Sequence, residues 1–208
     1  MGELTFKDGL ALWYEQTPIG KSPYRTFKWG KDLQIWLVEV REFRSDNRIE
    51  DGEGKTIWGK DQIRWFKQTV ENSDATFKVL VSPTPIVGPD RLKGKNDNHS
   101  NKAFQTEGTW LRGFLAKKEV IVINGDRHWQ YASVDPVSGL REFSQGPVSD
   151  YHAGGWSQDN IKPEHKFLRV KGGFLATKVF RENNIPIIQF LHYDVDGNVV
   201  HEETFVEK

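Results

Sequence analysis

Four consecutive apolar residues, Val120, Ile121, Val122 and Ile123, stand directly before a burst of polarity, Asn124-Gly125-Asp126-Arg127-His128. β-branched side chains favour the pleated strand, and an apolar run without alternation fits a strand buried on both faces, as in the middle of an α/β sheet. Such a strand needs a packed layer on each side, so it constrains the whole chain around it. In open α/β sheets, ligands sit in the loop past the carboxyl end of a strand, which is where the polarity jumps here. Gly125 permits a sharp turn or a close backbone approach. Asp126 and His128 are two residues apart, so an extended backbone sends both side chains to the same side. A carboxylate oxygen and an imidazole nitrogen converging on one point make half of a transition-metal site. The same pair also reads as a hydrogen-bonded turn with His128 packed on Trp129.

The neighbouring segments supply the layers. Residues 24–29 (YRTFKW) and 33–40 (LQIWLVEV) read as strands joined at Gly30-Lys31-Asp32, with Glu39, Arg41, Glu42 and Arg44 at the end of the second. An Arg at a strand end is either solvated and ion-paired or a fork for phosphate oxygens. Residues 45–58 read as a surface loop. Residues 59–73 space Ile63, Phe66 and Val70 as one face of a helix, residues 77–81 read as a buried strand, and residues 104–118 carry Leu111, Phe114 and Leu115 on a second helical face. Between them, SPTPIVGPD is irregular and residues 91–102 form a polar loop containing His99. Leu10, Leu12, Trp13 and Tyr14 suggest one short helix near the start.

This strand–helix alternation implies βαβ units and a mostly parallel sheet. After Asp126 the punctuation changes to hairpins. Residues 129–134 and 140–144 flank a turn-rich Asp-Pro-Val-Ser-Gly, and residues 173–181, 186–194 and 199–206 are joined at Asn183-Asn184 and Asp196-Gly197. The expectation is therefore an α/β layered structure in one domain over residues 1–208: a mixed sheet, parallel in its N-terminal part and an antiparallel meander in its C-terminal part.

Composition removes several alternatives. Lys+Arg and Asp+Glu are both 29, so the zero net charge supplies no bulk attraction for nucleic acid or an acidic membrane, and no nucleic-acid motif is present. With no cysteine, disulfides and thiolate metal sites are excluded. No apolar run approaches the ~20 residues of a membrane helix, and the first residues resemble neither a signal nor a transit peptide.

The string INGDRHWQYASVDPVSGLREFSQGPVSDYHAGGW resembles the alkaline phosphatase D (PhoD-like) family of metallophosphoesterases, and YRTFKWGKDLQIWLVEVREFRS, KTIWGKDQIRWFK, VLVSPTPIVGPDR and KNDNHSNKAF agree with it in order. The resemblance implies a layered sandwich with a metal centre at the strand ends, calcium and iron as cofactors, hydrolysis of phosphate mono- and diesters as small-molecule substrates, and a secreted or periplasmic setting. Its Gly-Asp-x-His segment supplies metal ligands, which here are Asp126 and His128. The family's upstream ligand motifs, an early Asp, a second Asp and an Asn in a Gly-Asn-His-Asp-like stretch, have no counterpart. The chain is thus expected to represent the C-terminal portion of the domain, partnered by a missing N-terminal half or by self-association. Arg41, Arg127, His99 and His152 are the candidates for substrate binding; Arg127 alternatively points the other way into a structural ion pair, and loop histidines are alternatively solvated. Two function classes follow: a metal-dependent phosphoesterase, or an inactive binding or structural module that keeps half of the fold.

Overall fold

The computed structural model describes residues 3–20, 22–90 and 96–207. Helix α1 (Phe6–Gln16) is followed by strands β1 (Arg25–Trp29) and β2 (Leu33–Leu37), helix α2 (Gly59–Glu71), β3 (Phe77–Ser82), helix α3 (Gln105–Lys117) and β4 (Val120–Asn124). The remaining strands are β5 (Gln130–Val134), β6 (Arg141–Gln145), β7 (His165–Arg169), β8 (Gly173–Glu182), β9 (Ile185–Asp194) and β10 (Val199–Val206). Among the described residues they form a seven-stranded sheet in the order β1-β2-β3-β4-β6-β5-β7 and a three-stranded sheet in the order β10-β9-β8.

Period-two alternation on the central strands separates two cores. Trp36, Leu80, Val120 and Val122 face α2 and α3, where they pack with Phe66, Val70, Leu111 and Leu115. Leu33, Phe77, Val79 and Phe143 face the three-stranded sheet and meet its Ile188 and Phe190, with the Phe143 and Phe190 rings stacked at 4.4 Å. Each fully buried side chain of this kind contributes about 1.5–3 kcal/mol. The result is three layers: helices, the large sheet, the small sheet. Helix α1 lies outside them. Thr5 and Asp8 cap it reciprocally, but none of its residues is buried.

The sheet is parallel in its N-terminal part, where β2, β3 and β4 run side by side, and antiparallel in its C-terminal hairpins. One detail departs from the sequence expectation. β6 pairs with β4 in parallel and lies between β4 and β5, so the hairpin folds its second strand inward. This order sets Glu142 on β6 against the loop that follows β3. Its wholly buried carboxylate accepts backbone N–H groups of Ile86, Val87 and Gly88 at 2.6, 3.0 and 2.9 Å and the Tyr131 hydroxyl at 2.7 Å. β2 is laddered only to Leu37, although Val38 and Val40 remain buried. The expected surface loop before α2 ends in the core, with Ile57 and Trp58 fully buried. Residues 91–95 of the polar loop lie outside the described residues. No helix among the described residues is long and apolar enough to cross a membrane.

Candidate functional site

Because β2, β3, β4 and β6 run parallel, their carboxyl ends open on one side, and the Asp126 turn leaves the sheet there. Gly125 N–H donates to the Ser82 carbonyl at 3.1 Å, tying the end of β4 to the end of β3. A Cβ at Gly125 would stand 3.3 Å from the Pro83 carbonyl oxygen, so the close approach of the two loops selects glycine. Asp126 then adopts φ 66°, the left-handed region, which Asp tolerates better than most residues. The turn is therefore not extended, and simple strand alternation is not what orients it. Asp126 and His128 are nevertheless both exposed, and Arg127 between them is buried.

Arg127 is the best-anchored group of the site. Its side chain is 0% exposed; Nη1 donates to Asp90 Oδ1, Nη2 donates to Asp126 Oδ2, and Cζ lies 5.5 Å from the Trp129 ring centre. Asp90 also accepts from Asn98 Nδ2 at 2.7 Å. Asn98, fully buried, accepts in turn from the backbone and hydroxyl of Ser100 at 3.0 and 2.7 Å. Asp126 keeps its Oδ1 without a protein partner among the described residues, and the His128 ring makes no hydrogen bond there.

Arg41 follows β2, two strands from β4. Its side chain is 53% exposed and its Nη1 lies 3.9 Å from Asp97 Oδ2, while Arg44 Nη1 donates to the Asp97 carbonyl at 3.5 Å. Burial, with Arg41 nearby, pulls Arg44 below its ordinary value, and Asp97 works against this. Because Asn98 Nδ2 also reaches Asp97 Oδ1 at 3.3 Å, contacts run from Arg41 through Asp97, Asn98, Asp90 and Arg127 to Asp126.

The two loop histidines part company. His152 is exposed, bonded to Ser149 Oγ at 3.1 Å, and its loop is fastened to the site by Gly154 N–H donating to the His128 carbonyl at 3.0 Å. His99 is buried, with Nε2 2.8 Å from Glu107 Oε1, so it serves the interior and presents nothing to solvent. Glu107 also accepts the Ile57 and Trp58 N–H groups at 3.0 and 3.2 Å. Burial acts against its charge, but His99, the Thr56 side chain and the Ile57 N–H hold it below its ordinary value. Trp129 and Trp156 stack at 5.4 Å and pack the following loop onto the turn, a structural use. Asp90, Asn98, Glu107 and Glu142 went unremarked in the sequence. The one signal for Asp90 was indirect: a buried Arg127 requires a carboxylate, and a Gly-Pro-Asp loop after a neighbouring strand can supply it.

An oxygen donor at Asp126 and a nitrogen donor at His128, both accessible, fit two positions of a metal centre of the oxygen–imidazole type. Among the described residues, no group of three or more His, Cys, Asp or Glu side chains is placed to hold a metal ion. The described residues thus offer two donors of the types that such a centre uses and do not make up a whole one.

Comparison with known proteins agrees with this architecture. A solved structure of PhoD superposes with a TM-score of 0.67 over 94% of this chain and 46% of that one, at 16% identity, so this chain spans about half of it. No curated protein matches. The family of PhoD-like phosphatases matches residues 7–190, nearly the whole of the described fold. The chain belongs to the PhoD-like phosphatase family.

Proposed function

We propose that this chain is the C-terminal portion of a phosphatase domain that hydrolyses phosphate esters with metal ions, and that Asp126 and His128 are its contribution to the metal centre. The observation that carries the reading is the exposed Asp126/His128 pair, backed by buried Arg127, at the carboxyl end of a central parallel strand in a chain of this family. When bound, a metal ion supplies Lewis-acid chemistry, lowering the pKa of water and offsetting charge on a phosphoryl oxygen. Asp126 offers its free oxygen and His128 its ring nitrogen. Arg41, with its side chain about half exposed, is a cation among the described residues available to steer and hold a phosphate ester at the strand ends. His152 borders the same opening. Calcium and iron are the ions proposed, by the family's precedent.

Two donors leave the remaining coordination positions unfilled and cannot fix the roughly 3.5–4 Å spacing on which paired-metal hydrolysis depends. The remaining ligands are assigned to polypeptide corresponding to the part of the PhoD chain that this one does not cover. The test is hydrolysis of bis(4-nitrophenyl) phosphate with added calcium, iron or manganese, comparing the chain with Asp126→Ala and His128→Ala. Turnover near background for the chain alone, rising when a polypeptide with the remaining ligands is mixed in and lost again in both variants, is expected. Turnover indifferent to both substitutions overturns the ligand assignment. Robust turnover by the chain alone that both substitutions abolish keeps the ligands and overturns the incompleteness.

A further inference from the structure

A cation beside a metal ligand poses a problem that the geometry resolves. By charge alone, Arg127 repels any metal ion bound at Asp126. Yet its side chain is wholly buried, spans Asp90 and Asp126 with separate nitrogens, and lies against Trp129; Nε has no partner among the described residues but is buried too, so no accessible face is presented to a phosphate. The anchor on the inner side is buried and hydrogen-bonded. Asp90 is 1% exposed and held by Asn98, and the backbone shortly before it is pinned by the three N–H groups that Glu142 accepts. The outer partner, Asp126, carries a left-handed backbone at φ 66° and has only Oδ2 engaged.

We propose that Arg127 is a positioning residue, which orients the Asp126 carboxylate so that Oδ1 stays available to the metal, and that Asp90 and Asn98 act through it. This rests on the metal-centre reading above. Carboxylates that bind metals are themselves hydrogen-bonded, and loss of that partner costs about 10–100-fold in affinity. The phosphate-binding role open to Arg127 from sequence is thereby replaced by an inward one, leaving Arg41 as an exposed candidate cation among the described residues.

Positioning and plain electrostatics predict opposite signs, which makes the inference testable. The probe is Mn2+ alone, read by paramagnetic broadening of the His128 ring signals in NMR, with amide spectra as the check of folding. Under the proposal, Arg127→Met weakens Mn2+ binding by about 10-fold or more. Arg127→Lys keeps the charge but not the two-pronged geometry, so it also weakens binding. Asn98→Ala removes no charge and still weakens binding several-fold. Tighter Mn2+ binding in Arg127→Met, or unchanged binding in both Arg127→Lys and Asn98→Ala, overturns it. A second reading needs no metal. A guanidinium locked between two carboxylates gives separate Nη resonances, whereas a freely rotating one averages them. Separate signals in the wild type that coalesce in Asn98→Ala support the anchoring; averaged signals in the wild type overturn it. Should Mn2+ leave the His128 signals of the wild type untouched, the metal assignment of the pair falls, and the Nη signals alone decide whether Arg127 holds Asp126.

Discussion

At the scale of single residues, buried polar groups define this molecule as much as its apolar core does. Glu142 is the clearest case. Burial pushes its carboxyl above the usual carboxylate range, and the backbone donors of residues 86–88 pull the other way. Replacing it with Ala strands three N–H groups and the Tyr131 hydroxyl inside the protein, at a cost of about 1–3 kcal/mol for each group left unsatisfied. Glu142→Ala is therefore expected to lose on the order of 3 kcal/mol or more in urea unfolding, and Glu142→Gln, which retains an acceptor oxygen, to lose less. Equal stability of Glu142→Ala and wild type would show that water reaches these donors. None of this was legible in the chain. Glu142 sits in REFSQ, where an acidic residue on a strand reads as a solvent-facing position. What makes it internal is a loop more than fifty residues away in sequence. The Gly-Asp-x-His turn was legible because glycine and clustered polarity at a strand end are local signals. Its Asp90 and Asn98 supports were not, since they reach Arg127 across the fold.

At the scale of elements, β-branched runs and helical spacing located the central strands and both core helices, and hairpin turns located the C-terminal meander. Pairing order was not legible, because which strand of a hairpin lies inside is not a local property, and the contacts that go with it, such as those of Glu142, are distant in sequence. The docking of the small sheet on the large one was likewise hidden, and one contact of that docking is titratable. His192 on β9 is buried, and its Nε2 lies 2.9 Å from the Ser144 carbonyl on β6, which assigns the proton to Nε2. His201 and Glu203 face it from β10, and Arg169 from β7. Burial, reinforced by His201 and Arg169, brings its pKa down to about 4, although the Ser144 bond and Glu203 oppose this. An unfolded histidine titrates near 6.5, so the unfolded chain takes up a proton that the folded chain refuses between those values. The associated stability is complete above pH 6.5 and is lost as pH falls toward 4, a change of roughly 3 kcal/mol. Urea unfolding at pH 7 and pH 4.5 should show a larger drop for wild type than for His192→Gln. Parallel drops in the two proteins would contradict the assignment.

At the scale of the whole molecule, two sheets and two core helices form a layered fold in which the edge strand β1 is mostly exposed, while the Gln158 side chain bonds the Leu168 carbonyl and the Val170 N–H at the β7 edge. β1 and β7 end the large sheet, and β8 and β10 end the small one. β1 presents Phe27 and Trp29 at 39% and 68% exposure. Open strand edges with apolar side chains promote pairing with further chains. Sedimentation velocity of the chain alone is expected to show concentration-dependent association; a single monomer boundary at every concentration would argue against it.

The central claim is that Asp126 and His128 form one edge of a metal centre. The direct measurement is an anomalous difference map from crystals of the chain grown with manganese. A peak bonded to Asp126 Oδ1 and a His128 ring nitrogen is expected, with Arg127 still on Asp126 Oδ2 and the other coordination positions taken by water. A map with no peak at this turn, or with the metal bound by other side chains and Asp126 turned away, would contradict it.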